Sequence, residues 1–343
     1  MCHKNRPLLA VTMGDPGGIG PEICAKALSL EEIYRICRPL IIGDAAIMKN
    51  AADLCGLELH VHAMDNPEQG LYRHGTMDVI DLKNMPLIRL RHKQVSAEQG
   101  RASFEYIVKA IELAQNYCVD GTVTGPINKA SINEAGFRYA GHTEIYAEKT
   151  GSKDYAMMLV DQGFRVIHVS THVSMRQACD AVRKERVLRV IELSHEAVGD
   201  LIGHKPRLAV AALNPHCGEN GLFGTEDDLE VAPAVHAARD KGINVEGPIP
   251  ADTVFPKMKG GRYDAVVVMY HDQGHVPMKL LGFDYNEKTR IWSSMAGVNV
   301  TLGLPIIRTS VDHGTAFDKA GEGRANPQSM VEAIKVAVNL SLR

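Results

Sequence analysis

Three histidines in this chain each stand just beyond a short, strongly apolar run, and they are the side chains best placed by type and spacing to do chemistry. Val166 to Val169 leads to His172, Leu208 to Leu213 leads to His216, and Ala265 to Met269 leads to His271. Short runs rich in Val, Ile and Leu read as buried parallel strands. In open α/β sheets, ligands bind outside the carboxyl ends of such strands. Taken singly, each histidine is an ordinary polar residue where a strand meets a loop. Taken together, three imidazoles reaching one crevice from three strand ends make a divalent-metal site with open positions.

The densest polar cluster surrounds the third histidine: Tyr270-His271-Asp272-Gln273-Gly274-His275, with Lys279 following. Asp272 is either a further oxygen ligand or the group that orients an imidazole. Asp252, in Pro250-Ala251-Asp252-Thr253 ahead of that strand, joins Asp272 and Lys279 as a candidate catalytic residue.

Other motifs carry groups for holding anions. Lys129 follows the strand-like run Val119 to Thr124 and the break Gly125-Pro126, where a lysine meets phosphate or carboxylate as a point charge. Gly141-His142-Thr143-Glu144 crowds an imidazole, a hydroxyl and a carboxylate together; His142 can donate to a substrate anion, and Thr143 can cap a helix starting there. Arg308 can bind carboxylate or phosphate through two parallel hydrogen bonds. Gly14 and Asp15 open a glycine-rich turn, Gly14 to Glu22, between a strand and a helix, and such a turn can cradle an anion. It is neither a Walker A loop nor a dinucleotide fingerprint. His313-Gly314-Thr315-Ala316 and the following Ala320 to Gly323 read as a compact loop that lets backbone approach a flat cofactor. Cys217 beside His216 invites a ligand or nucleophile reading, but adjacent loop residues rarely share a metal.

The elements that must position these groups alternate along the chain. Leu8–Met13 and Leu40–Gly43 read as strands, and about Pro21 to Leu28 as a helix. Arg101–Tyr117 is amphipathic, with Phe104, Ile107, Val108, Ile111 and Ala114 on one face; Arg183–Val198 and about Pro327 to Leu340 are also helical. The expected fold class is therefore α/β, two α/β/α domains with mostly parallel sheets and helices on both faces. The length of 343 residues suits two domains. Crossings at Gly136 to Gly141 and near Ser293 to Asn299 would make residues 1–137 with 300–343 one domain and 138–299 the other.

A hydrophobic fraction of 45% is that of a globular protein, and one Trp with seven Phe makes the core mostly aliphatic. A net charge of −3 without a Lys/Arg cluster argues against nucleic acid as partner. No apolar stretch is long enough to span a bilayer, and the N-terminal run does not read as a signal peptide. Seven scattered cysteines without a Cys-x-x-Cys motif point to free thiols in a reducing cytoplasm.

Together, Gly-Asp-Pro-Gly-Gly-Ile-Gly-Pro-Glu, Thr-Gly-Pro-Ile-Asn-Lys, Gly-His-Thr-Glu, Leu-Asn-Pro-His-Cys-Gly-Glu, Pro-Ala-Asp-Thr, Tyr-His-Asp-Gln-Gly-His and the run from Asn299 to Ala316 resemble the 4-hydroxythreonine-4-phosphate dehydrogenase family over nearly the whole chain. The His313–Ala316 loop is also similar to the cofactor loop of isopropylmalate and isocitrate dehydrogenases. The resemblance implies a homodimer of two-domain subunits, with the active site in the interdomain cleft and completed by the partner, and NAD as cofactor. It makes His172, His216 and His271 the ligands of a divalent metal (Zn, Mg, Mn or Co). It makes His142, Thr143, Lys279, Asn299 and Arg308 contacts to a phosphorylated substrate. Between Lys279 and Asn299 the chain carries an extended segment, Leu280 to Val298, with the only Trp; a shorter connection is expected in the vitamin B6 enzymes. The pattern looks closer to a second, catabolic branch, which resembles dehydrogenases of 4-phospho-D-threonate or 4-phospho-D-erythronate.

The reaction this implies is oxidation of a 3-hydroxyl by NAD, assisted by the metal as Lewis acid, followed by loss of CO2 from a β-keto acid. Lys279, Asp272 and hydroxide on the metal are candidate bases. Two other classes stay open on the residues alone: a metal-dependent phosphoester hydrolase, and a binding protein that holds a phosphorylated acid without turnover.

Overall fold

The computed structural model describes residues 6–287, 291–295 and 297–342. Along the chain run β1 (Leu8–Thr12), α1 (Gly20–Leu28), α2 (Glu31–Ile36), β2 (Arg38–Gly43), α3 (Ala45–Leu54), β3 (His60–Met64), β4 (Thr76–Asp81), α4 (Ala97–Gln115), β5 (Gly121–Thr124), α5 (Lys129–Glu134) and α6 (His142–Thr150). There follow β6 (Ala156–Asp161), β7 (Phe164–His168), α7 (Met175–Ala181), α8 (Lys184–Ile202), β8 (Leu208–Ala211), α9 (Ala232–Asp240), β9 (Val245–Ile249), α10 (Ala251–Lys259), β10 (Ala265–Val268), α11 (His271–Gly282), β11 (Phe283–Asn286), β12 (Ile291–Met295) and β13 (Val298–Leu302). β14 (Arg308–Val311) and α12 (Gln328–Ser341) close the chain.

Contacts divide the chain into two compact units, residues up to Lys153 with Leu304 onward, and Asp154–Gly303. The crossings expected near 138 and 299 precede these points. α6 stays with the first unit because Ile145 and Tyr146 pack into one cluster with Phe104, Ile107 and Ile111 of α4.

In the first unit the strand order is β3-β4-β2-β1-β5-β14, parallel throughout. The residues of β1 and β5, their threonines included, are buried, as in a sheet covered on both faces. α4 begins four residues before its expected start. The Ser96 side chain accepts from the Gln99 N–H at 3.5 Å and caps the extra turn. Phe104, Ile107, Ile111 and Ala114 of its apolar face are buried and Val108 is half-buried, and Phe104 stacks on Phe137 with ring centroids 3.9 Å apart.

In the second unit the order is β13-β6-β7-β10-β8-β9. The β7, β10, β8 and β9 pairings are parallel, whereas β6 runs antiparallel to both β7 and β13. β11 and β12 pair as an antiparallel hairpin within the extended segment 280–298. Residues 288–290 and 296 of that segment lie outside the described residues. Among the described residues, no helix is long and apolar enough to cross a membrane.

Candidate active site

The three histidine-bearing strands are neighbours. β10 lies between β7 and β8, and Val267 pairs with both Ile167 and Val210. Their carboxyl ends therefore share one edge, as the apolar runs predicted. Two buried polar side chains tie this edge together. Gln273 accepts from the Met269 N–H at 2.7 Å and donates to the Ala212 carbonyl at 2.8 Å, joining the ends of β10 and β8. The buried Asp227 carboxylate accepts from the N–H groups of Leu213 and Asn214, at 2.8 and 2.9 Å, and fixes the loop leaving β8. Neither role is visible in the sequence, since each depends on a backbone partner remote along the chain.

His271 is the first residue of α11, and its Nδ1 meets Asp272 Oδ1 at 2.7 Å. That contact leaves Nε2 as the donor for a cation, the arrangement in which a carboxylate orients a ligating imidazole. Asp272 is exposed, and its carboxylate is held below the usual range first by the hydrogen bond to His271. The His172 ring lies 5.6 Å from that of His271, centroid to centroid. A cavity of about 270 Å³ opens there, lined by Thr171, His172, Met175, Tyr270, His271 and Asp272 among others. His172 and His271 thus fit as nitrogen donors to a divalent cation.

His216 is placed differently. It lies in the short helical turn Pro215–Gly218, with its ring 6.3 Å from that of Phe223. Among the described residues, no group of three His, Cys, Asp or Glu side chains is arranged to hold a metal ion. The turn is unusual in itself. His216, Cys217, Glu219 and Asn220 all take positive φ, between 45° and 56°, which is sparsely populated for residues other than glycine. Strain of this kind gathers at functional sites. Burial, then the carboxylates of Asp227, Asp228 and Asp252, push the Cys217 thiol up; this is the reverse of an activated nucleophile. Asp252 itself is exposed in the first turn of α10.

Two further histidines join this edge. His275 stacks on His271, with centroids 3.6 Å apart and planes 9° from parallel, and His168 of β7 lies 5.0 Å from His275. Burial pulls His168 down to about 3 and His275 down to about 4, so both rings are neutral at ordinary pH. The sequence signal was available: His275 is four residues after His271, one helical turn along the same face. Lys279 follows at the same interval and is exposed.

The first unit holds a separate cluster of basic side chains. Arg308 enters it from β14 and is buried. Its Nη2 donates to Thr124 Oγ1 at 2.9 Å, and its guanidinium lies over the Tyr146 ring, 5.6 Å from the centroid. Tyr146 donates to Thr122 Oγ1 at 3.1 Å. Burial brings Arg308 down to about 10, still cationic at neutral pH, and pushes Tyr146 up to about 12. His142 Nε2 is buried without a hydrogen-bond partner. Burial holds His142 well below its usual value, and Arg308 and Lys129 add to the effect. One neutral imidazole beside the buried Arg308 and the exposed Lys129 can donate to an incoming phosphate or carboxylate without adding a third charge. Thr143 does not cap α6 as expected. Gly141 is the N-cap, in extended backbone that leaves no side chain for capping, and Thr143 falls inside the first turn.

The two loops assigned to a cofactor meet in this unit. Gly14 takes φ of 75°, and a Cβ there would fall 2.3 Å from the Pro126 carbonyl oxygen; Asp15 N–H donates to the same oxygen at 2.9 Å. Asp15 is buried, and its Oδ1 accepts from the Gly17 N–H at 2.8 Å. Burial lifts its carboxyl to about 6, with the Gly17 N–H and the Ser131 hydroxyl pulling the other way. Ile19 N–H donates to the Thr315 carbonyl at 3.0 Å. The buried Glu22 accepts from the Gly321 N–H at 2.6 Å, and Lys26 donates to the Ala325 carbonyl at 2.8 Å. α1 thereby anchors the loop carrying His313, Gly314, Thr315 and Ala316. Ala316 takes φ of 42° in that loop, and His313 Nδ1 lies 3.0 Å from the Gly314 carbonyl. Asn299 lies on β13 of the second unit, paired in register with Leu159.

The family model described as pyridoxal phosphate biosynthetic protein PdxA matches residues 35–337. A protein of Symbiobacterium thermophilum named "Putative D-threonate 4-phosphate dehydrogenase" is 48% identical over 331 residues, which cover 96% of each chain. The crystal structure of a 4-hydroxythreonine-4-phosphate dehydrogenase from Klebsiella pneumoniae is 40% identical, covers 100% of both chains and superposes with a TM-score of 0.88. A β-decarboxylating dehydrogenase from Thermococcus kodakarensis, 14% identical, covers 95% of this chain and 80% of its own with a TM-score of 0.50, a likeness of fold alone.

Proposed function

From the premise that the chain belongs to the family of pyridoxal phosphate biosynthetic protein PdxA and is a dehydrogenase, we propose that it oxidises the 3-hydroxyl of a 4-phosphorylated four-carbon hydroxy acid with NAD. The substrate we assign is 4-phospho-D-threonate or 4-phospho-D-erythronate, and the products are dihydroxyacetone phosphate, CO2 and NADH. The observation that carries this reading is the group formed by Arg308, Lys129 and the neutral His142, whose charge and donors suit a phosphate. The relative from Symbiobacterium thermophilum, whose name specifies D-threonate 4-phosphate, supports the hydroxy acid.

The loop His313 to Ala316, with Gly14 and Asp15, would hold NAD, which would supply the hydride acceptor for the oxidation at C3. His172 and His271, joined by His216, would hold a divalent cation, which would supply Lewis-acid polarisation at the 3-oxygen. The chain's own residues do the rest. Arg308, Lys129 and His142 hold the phosphate, with Thr143 at the same helix start. Asp272 keeps the His271 ring in one tautomer, since Nδ1–H donates to it and Nε2 keeps its lone pair. Lys279 and Asn299 are assigned to the reacting end of the substrate, and Asp252 remains a candidate for proton handling there. We take the working unit as a cytoplasmic homodimer whose partner completes the site.

A second reading has specific support. The Klebsiella pneumoniae structure is named for 4-hydroxythreonine 4-phosphate, which differs at C2 by an amine in place of a hydroxyl and belongs to vitamin B6 synthesis. The test of reaction class is to supply phosphorylated acid with NAD and a divalent cation, and to follow NADH and free phosphate together. NADH without phosphate release is expected. Phosphate release without NADH would establish the hydrolase instead, and binding without either product a non-catalytic protein.

A further inference from the structure

His271, His275 and Lys279 recur every fourth residue along α11 and share one face. The rings of His271 and His275 lie face to face, 3.6 Å apart and 9° from parallel. His275 is itself held: its Nδ1 lies 3.0 Å from the His271 carbonyl oxygen. Behind it His168, wholly buried in β7, lies 5.0 Å away, and its Nδ1 lies 3.1 Å from the Met157 carbonyl of β6. Gly274 makes room for this arrangement, because a Cβ there would fall 2.5 Å from His168 Nε2 and 3.0 Å from Val268. Three rings therefore run from the interior of the sheet to His271, and the two inner ones are anchored to main-chain carbonyls.

Asp272 restrains His271 at one ring nitrogen but leaves the ring able to swing about that contact. The flat face of His275 removes this remaining freedom. We propose that His275 is a positioning residue, which fixes the plane of the His271 imidazole for cation binding by stacking against it, with His168 as its rigid backing. The proposal rests on the assignment of His271 as a metal ligand and adds a residue to it.

The test is a titration of the full-length protein with Co2+, followed by visible absorption in the absence of substrate and NAD. Wild type, His271→Ala, His275→Phe, His275→Leu and His275→Met are compared, with circular dichroism to confirm folding. The Phe variant keeps a flat face and loses the ring nitrogens; Leu and Met fill the space without a flat face. Expected are loss of binding in His271→Ala, affinity close to wild type in His275→Phe, and weakening on the order of 10-fold with an altered absorption band in His275→Leu or His275→Met. Wild-type affinity and spectrum in a folded Leu or Met variant would overturn the proposal. So would a Phe variant as weak as they are, since the ring nitrogens would then be what matters. Unchanged Co2+ binding in His271→Ala would instead overturn the metal assignment itself.

Discussion

The Arg308 guanidinium is held between two partners at once, with Nη2 donating to Thr124 Oγ1 at 2.9 Å and its face over the Tyr146 ring at 5.6 Å. Both partners fix the plane of the fork, and a fixed fork recognises a tetrahedral or planar oxyanion better than a mobile point charge does. Arg308→Lys is therefore expected to raise KM for the phosphorylated substrate about 10- to 100-fold, or roughly 1.5–3 kcal/mol, with kcat changed much less. Steady-state kinetics, with inorganic phosphate as competing ligand, checks this. Burial lowers Arg308 only to about 10, so it stays cationic through neutral pH, and any change in phosphate competition there is expected to follow the second ionisation of the phosphate itself.

Asp15 supplies a pH dependence of stability. Burial lifts its folded carboxyl to about 6, from the ordinary 3.8 of the unfolded chain. Between those values the folded state binds more protons, so the contribution of this group to stability falls as pH rises from about 4 through about 6, by up to about 3 kcal/mol at roughly 1.4 kcal/mol per pH unit. Asp15→Asn keeps an oxygen for the Gly17 N–H and removes the titration. Urea unfolding of the ligand-free chain is expected to show the variant gaining on wild type as pH rises across this window. A difference constant with pH would contradict it.

Glu22 couples α1 to the loop 313–326 through the Gly321 N–H. Glu22→Ala is expected to raise KM for NAD on the order of 10-fold, since a hydrogen bond to a charged group is worth about 1.5–3 kcal/mol. Glu22→Gln retains an accepting oxygen and is expected to stay close to wild type. NADH binding followed by fluorescence distinguishes loop loosening from a change in the chemical step.

The histidine edge yields a fourth prediction. Stripping divalent cations with a chelator is expected to abolish NADH formation, and re-addition to restore it. His216→Ala is expected to abolish turnover while leaving circular dichroism unchanged, and Asp272→Asn to weaken cation binding about 10- to 100-fold. Full activity of His216→Ala with its cation retained would remove His216 from the ligand set.

Much of this was legible in the residues. The apolar runs before His172, His216 and His271 became β7, β8 and β10, adjacent and parallel, because an unbroken Val/Ile/Leu run is the signature of a strand covered on both faces. The antiparallel pairing of β6 with β7 was not legible, since a buried strand looks the same in either direction. The hydroxyl of Thr143 suits a cap, yet the chain turns into the helix two residues earlier, at Gly141. Gln273, Asp227 and Glu22 act on backbone groups of distant segments, and only the fold brings those partners to them. The four-residue spacing of His275 from His271 places both on one face of α11, which the sequence does show.

The most direct measurement follows NADH absorbance with added divalent cation, comparing 4-phospho-D-threonate, 4-phospho-D-erythronate and 4-hydroxythreonine 4-phosphate as substrates. Turnover is expected with strong preference in kcat/KM for the hydroxy acids, with dihydroxyacetone phosphate as product. Preference for the amino acid would contradict this and place the chain in vitamin B6 synthesis.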